Sequence, residues 1–152
     1  MQATLSATTQ SFVSCDTPMV FEQLFSETIS LANWQREENK LIQAYYNNVL
    51  SRSRLEIRNV FNVSRIQSAL QDVLPDGIGK QQASEDICLL ADMLTCLFDC
   101  QDVGLRLTAI NTAMCPRFHV DNIPVRLVTT YLGPGTEYLP NEFALSEKLG
   151  HS

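Results

Sequence analysis

Ser84-Glu-Asp-Ile-Cys-Leu-Leu-Ala-Asp-Met-Leu-Thr-Cys-Leu-Phe-Asp-Cys-Gln-Asp-Val-Gly-Leu-Arg-Leu-Thr-Ala-Ile110 changes its periodicity partway along. Up to Cys100 the apolar residues Ile87, Leu90, Leu94 and Leu97 or Phe98 recur at helical spacing, with Glu85 and Asp86 in the opening turn, where the helix dipole favours acids. The pattern predicts a helix starting at Ser84. After Val103, Leu105, Leu107 and Ala109 alternate with Arg106, Thr108 and Ile110, which is the two-residue period of a strand. A helix handing over to strands makes the chain α+β.

Upstream, Val20, Phe21, Leu24, Phe25 and Ile29 predict a short helix followed by an extended stretch through Trp34. Leu41, Tyr45 and Val49 recur every four residues and predict a helix over 37–51, with Glu37 and Glu38 in its first turn. Leu55 to Val60 reads as a strand. Ser64-Arg-Ile-Gln67 has the capping-box form ahead of Ile66, Leu70 and Val73, and Pro75-Asp76-Gly77 ends that helix. Downstream, Ile123 to Leu132 is a β-branched run with Pro124 at its start, where a missing donor is tolerated. Gly133-Pro134-Gly135-Thr136 follows as a turn with Gly135 expected at positive φ. The expected order is helices first and strands last.

The chain has 152 residues, 45% of them hydrophobic and 18% charged, enough apolar material for one core. Residues 1–17 read as a flexible lead-in and 18–152 as one α+β domain, with a β-rich region over 103–140. With 11 basic against 17 acidic residues the net charge is −6, and no basic block offers a grip on a nucleic-acid backbone. No apolar run is long enough to span a membrane, and residues 1–14 lack the basic and apolar regions of a secretory signal. Five cysteines, with no Cys-x-x-Cys pair, read as reduced thiols in the cytoplasm. Cys96 and Cys100 lie one helical turn apart, close enough to share a metal, but Leu94, Leu97 and Phe98 around them favour core packing. No phosphate-binding loop or dinucleotide fingerprint is present, since Gly77-Ile78-Gly79 lacks both a third glycine and a preceding strand, and Ser11, Ser14 and the other early hydroxyls have no paired His to support a nucleophilic triad.

Cys115-Pro-Arg-Phe-His-Val-Asp121 holds the residues best suited to chemistry. On an extended backbone Arg117, His119 and Asp121 share one face, and Phe118 and Val120 share the other, where they can anchor in the core. His119 and Asp121 can offer a nitrogen and a carboxylate oxygen to one divalent ion, two thirds of the 2-His-1-carboxylate set that holds iron with open positions. Cys115 as a third donor would favour zinc, and Glu137, after the turn, is the other candidate. His151 has only a terminal position to recommend it. By itself the pattern more often marks a hydrogen-bonded His–Asp pair at a strand end than a metal site. Arg117 and Arg126 could bind an organic acid or simply pair with surface carboxylates.

The stretch from Cys115 through Leu139, with its Cys-Pro-Arg-Phe-His-Val-Asp and Arg-Leu-Val-Thr-Thr-Tyr-Leu-Gly-Pro-Gly-Thr-Glu runs, resembles the signature of the domain of unknown function 1826 family. The resemblance implies N-terminal helices packed on a cupin-like (double-stranded β-helix) antiparallel sheet. It also implies His119 and Asp121 as ligands of zinc or iron, a role in metal homeostasis and no established activity. Cys115, Arg126, Thr130, Tyr131 and Glu137 match motif positions of unassigned role. The family continues past the Gly-Pro-Gly-Thr-Glu turn into strands with a distal His, and this chain stops at Ser152, so the cupin-like sheet is expected to be incomplete. Its open edge would then invite self-association. The competing expectation is an interaction module without catalysis, in which the His–Asp pair is structural.

Overall fold

In the computed structural model, residues 11–112, 118–144 and 150–151 are described, the last two and residue 142 by their backbone alone. The chain is mixed α+β and divides into two compact units. The first comprises residues 1–37, 115–123 and 137–152; the second comprises 38–114 and 124–136.

In the first unit, β1 (Phe12–Cys15) pairs in parallel with β2 (Leu31–Trp34), in register from Phe12 opposite Leu31 to Cys15 opposite Trp34. The connection is a 3₁₀ helix, Pro18–Phe25, close to where the apolar spacing predicted a helix. Residues 12–15, expected in the flexible lead-in, are thus a strand. A parallel partner 19 residues away is invisible to local patterning, because strand pairing is a tertiary choice. The Trp34 indole donates to the Asp16 carbonyl (3.0 Å), and Phe21 meets the Trp34 ring edge-on. Asn141 ties a later segment to this pair, its amide N–H donating to Ser11 Oγ (3.3 Å) and its side chain to Ser30 Oγ (3.0 Å). Tyr138 stacks on Phe12 with centroids 4.8 Å apart. β5 (His119–Val120) runs parallel to β6 (Gly150–His151).

The second unit holds α1 (Lys40–Arg52), β3 (Glu56–Asn62), α2 (Ile66–Val73), α3 (Lys80–Phe98) and β4 (Asp102–Thr108). β3 and β4 pair antiparallel over their whole length, from Glu56 opposite Thr108 to Asn62 opposite Asp102. Phe61, Ile66, Leu70, Leu74, Ile87, Ala91 and Val103 form one core cluster, and Ile42, Tyr45, Tyr46, Val49, Leu55 and Ala83 form another. Ile57 and Leu107, neighbours across the two strands, pack against both. The inward face of the strand pair therefore joins the two clusters into one apolar interior.

Helices and strands interleave rather than run helices first and strands last, because β3 finds its partner only after α2 and α3. Three separate two-stranded sheets occur among the described residues, two of them parallel, and no barrel or roll closes there. Ile123–Leu132 joins no sheet, although its burial does alternate: Val125, Leu127, Thr129 and Tyr131 are half-buried, while Arg126, Val128 and Thr130 are exposed. Apolar alternation thus marked a side of the segment to bury, but a strand also needs a neighbour for its ladder.

Helix starts differ from the expected ones for reasons visible in the caps. Glu37 and Glu38 precede α1, whose N-cap is Asn39; its Oδ1 accepts from the amides of Leu41 (3.0 Å) and Ile42 (3.2 Å). Asn39→Ala is expected to cost about 1 kcal/mol in urea denaturation, the usual penalty for orphaning those donors. Asn62, rather than a Ser64 capping box, accepts from Ser64 N–H (3.2 Å) and Ser64 Oγ–H (2.6 Å). α3 begins at Lys80, one turn before the expected Ser84, and buries Ser84 completely. The extra turn is capped by Gly79 at φ +93°, a conformation that glycine alone adopts without strain. Cys96 and Cys100 are exposed, contrary to core packing: the buried stripe of α3 runs through Ile87, Leu90, Ala91 and Thr95, and Cys100 lies past the end of the helix at Phe98. In the Gly-Pro-Gly turn the positive φ falls on Gly133 (+79°), not on Gly135.

Candidate functional site

His119 enters from β5, and Asp121 follows one residue past the end of that strand. Two residues of near-extended chain bring both side chains to one side, and His119 Nε2 lies 3.5 Å from Asp121 Oδ1. Their side chains retain 25% and 30% of their accessible surface, whereas Phe118 is 47% exposed and Val120 69%. The expected orientation is therefore reversed. The polar pair is the more sheltered face, and the two apolar side chains intended as core anchors face outward. Sheltering a nitrogen and a carboxylate together raises the strength of whatever both of them hold, because fewer waters compete.

Of the remaining candidates, Cys115 and Arg117 lie outside the described residues. Glu137 is exposed, and Arg126 and Thr130 are exposed in the other unit. β6 brings the backbone of His151 into register with Val120, so this terminal residue sits in a strand pair rather than in a solvated tail. Among the described residues, no group of three or more His, Cys, Asp or Glu side chains comes together as a metal-binding set. Of the candidate donors, His119 and Asp121 are brought together, and among the described residues no third candidate joins them.

Tyr131, a motif position with no role assigned from the sequence, has a clear one in the second unit. Its hydroxyl donates to Asp86 Oδ2 of α3 at 2.7 Å. Its ring stacks on Tyr46 of α1 at 4.8 Å and 30°, and Tyr46 in turn meets Tyr45 edge-on at 5.0 Å. Tyr46 is only 3% exposed, and burial, reinforced by Tyr45 and Asp86, drives its phenol far above the ordinary tyrosine range. Together Tyr131 and Leu132 cover the cluster built on Ile42, Tyr45 and Tyr46. Tyr131 is thus an anchor for segment 124–136. Only the aromatic character of positions 45, 46 and 131 hinted at it, since nothing in a single sequence pairs residues so far apart.

A protein family described as Protein of unknown function (DUF1826) matches the chain over residues 15–152. No curated protein and no solved structure matches it.

Proposed function

The chain belongs to the DUF1826 family, and from that premise we propose that it binds one divalent metal ion, zinc or iron, through His119 and Asp121, in a metal-homeostasis role. The observation that carries this is the sheltered pair, with its nitrogen and oxygen 3.5 Å apart while the neighbouring phenylalanine and valine point outward. An imidazole nitrogen and a carboxylate oxygen suit both ions, and the third donor decides between them. Cys115 as thiolate favours a closed zinc site. Glu137 as carboxylate favours iron with open positions, as a cupin-like fold completed by a partner would use. The free thiols of Cys15, Cys88, Cys96 and Cys100 suit a reducing, cytoplasmic setting.

Metal analysis of untagged protein is expected to find near-stoichiometric zinc or iron, falling about tenfold or more in His119→Ala. Protein that stays metal-free after incubation with each ion, or a His119→Ala variant that keeps its metal, would refute the proposal.

A second reading rests on the outward Phe118 and Val120: an interaction module in which the His–Asp pair is structural and these side chains meet a partner. Self-association through a sheet edge accompanies it. Every strand belongs to a two-stranded sheet, and so has one edge without a strand neighbour among the described residues. Light scattering that shows a dimer, lost on Val120→Glu while metal-free protein stays folded, would favour this module over the metal site.

A further inference from the structure

The solvent face of the β3–β4 pair is unusual for a chain of net charge −6. Glu56, Arg58, Val60 and Asn62 alternate with the inward residues of β3, and the register sets them opposite Thr108, Arg106, Gly104 and Asp102. Arg58 and Arg106 are therefore directly opposed, with Cβ atoms expected about 5 Å apart. Both are exposed, and among the described residues neither guanidinium forms an ion pair or hydrogen bond. The acid nearest in sequence on that face, Glu56, is engaged by Arg54 at 3.3 Å. Like charges placed opposite each other work against the strand pair, although the chain has 17 acidic residues with which to balance them.

The surroundings leave room for an occupant. Val60 is exposed beside Arg58, and nothing lies within 4 Å of where a Cβ on Gly104 would stand. The register position next to the arginines thus carries the Val60 side chain on one strand and open space over Gly104 on the other. Each guanidinium is a planar fork whose parallel N–H donors match two oxygens of one anion. Two opposed forks suit an anion with two negative charges and several oxygens, which would also cancel their mutual repulsion.

We propose that Arg58 and Arg106, opposed across the β3–β4 pair, form a binding site for a small doubly charged oxyanion, a phosphate group or a dicarboxylate. The site belongs to the second unit and owes nothing to His119 or Asp121, so it stands or falls apart from the metal proposal.

Titration calorimetry of the full chain, freed of metal on a chelating resin and kept free of soluble chelator at constant ionic strength, tests it with inorganic phosphate and, separately, with malonate. At least one is expected to bind at one equivalent, and affinity should fall about tenfold or more in Arg58→Gln and in Arg106→Gln. Arg106→Lys, which keeps the charge and loses the fork, should fall between wild type and Arg106→Gln. Without anion, either glutamine variant should melt no lower than wild type, because a repulsion has been removed. Tighter binding of phosphate assigns the site to a phosphate group, and tighter binding of malonate to a dicarboxylate. Binding of neither anion beyond what chloride achieves, or glutamine variants that bind like wild type, would overturn the site.

Discussion

Gly79→Ala is expected to destabilise the protein by about 2–5 kcal/mol, combining left-handed backbone strain with a steric clash. Gly79 sits at φ +93°, and a Cβ built there would stand 2.7 Å from the Leu41 carbonyl oxygen and 2.9 Å from Tyr45 Cβ. Both obstacles belong to the framework of α1, so neither can swing aside as the tip of a long side chain could. Relief would require α1 and α3 to separate at the point where Tyr45 and Ala83 are both fully buried. Urea denaturation followed by far-ultraviolet circular dichroism measures the loss. Two neighbouring substitutions serve as controls. In Gly77→Ala the new methyl would meet Tyr45 Cδ2 at 3.4 Å and Arg52 Nη2 at 3.5 Å, ordinary contacts, and the cost should stay below about 1 kcal/mol. Gly104→Ala faces open space and should be close to neutral. A Gly79→Ala cost no larger than that of Gly77→Ala would show that the two helices do not approach as closely as described.

Tyr131→Ala is expected to cost about 3 kcal/mol and to loosen segment 124–136. A hydrogen bond to a carboxylate contributes roughly 1.5–3 kcal/mol and an aromatic pair about 0.5–1.5 kcal/mol beyond its area, and the alanine variant loses both. Tyr131→Phe keeps the ring against Tyr46 and removes only the hydroxyl, so it should cost about half as much. The comparison separates the bond to Asp86 from the stacking. Hydrogen exchange adds the local readout: amides of 124–136 should exchange faster in both variants, while those of β3 and β4, which carry their own ladder, change little. Equal costs for phenylalanine and alanine would mean that the hydroxyl carries the anchor and the ring contributes nothing.

The candidate site divides along similar lines. His119 and Asp121 were legible because their separation is two residues, and extended chain turns such a spacing directly into a shared side. Their sheltering was not legible. Phe118 and Val120 have the greater transfer free energy and would be placed inward by composition alone, yet they are the exposed ones. The opposed pair of Arg58 and Arg106 could not be read either, because a register between strands separated by two helices is set by what those helices bury.

Local spacing along the chain determined the mixed α+β class, the existence of α1, α2, α3, β3 and β4, the stop at Pro75-Asp76-Gly77 and the family membership that the signature carries. These follow from interactions over a few residues: side-chain periodicity, helix-end chemistry and the fixed φ of proline. Tertiary structure alone decided that Phe12–Cys15 pairs with Leu31–Trp34, that β3 waits for β4, and that Ile123–Leu132 joins no described sheet. It also decided that Tyr131 finds Asp86 and Tyr46. Each of these is a choice of partner between distant segments, and burial and hydrogen-bond pairing select that partner only once the whole chain has closed around it.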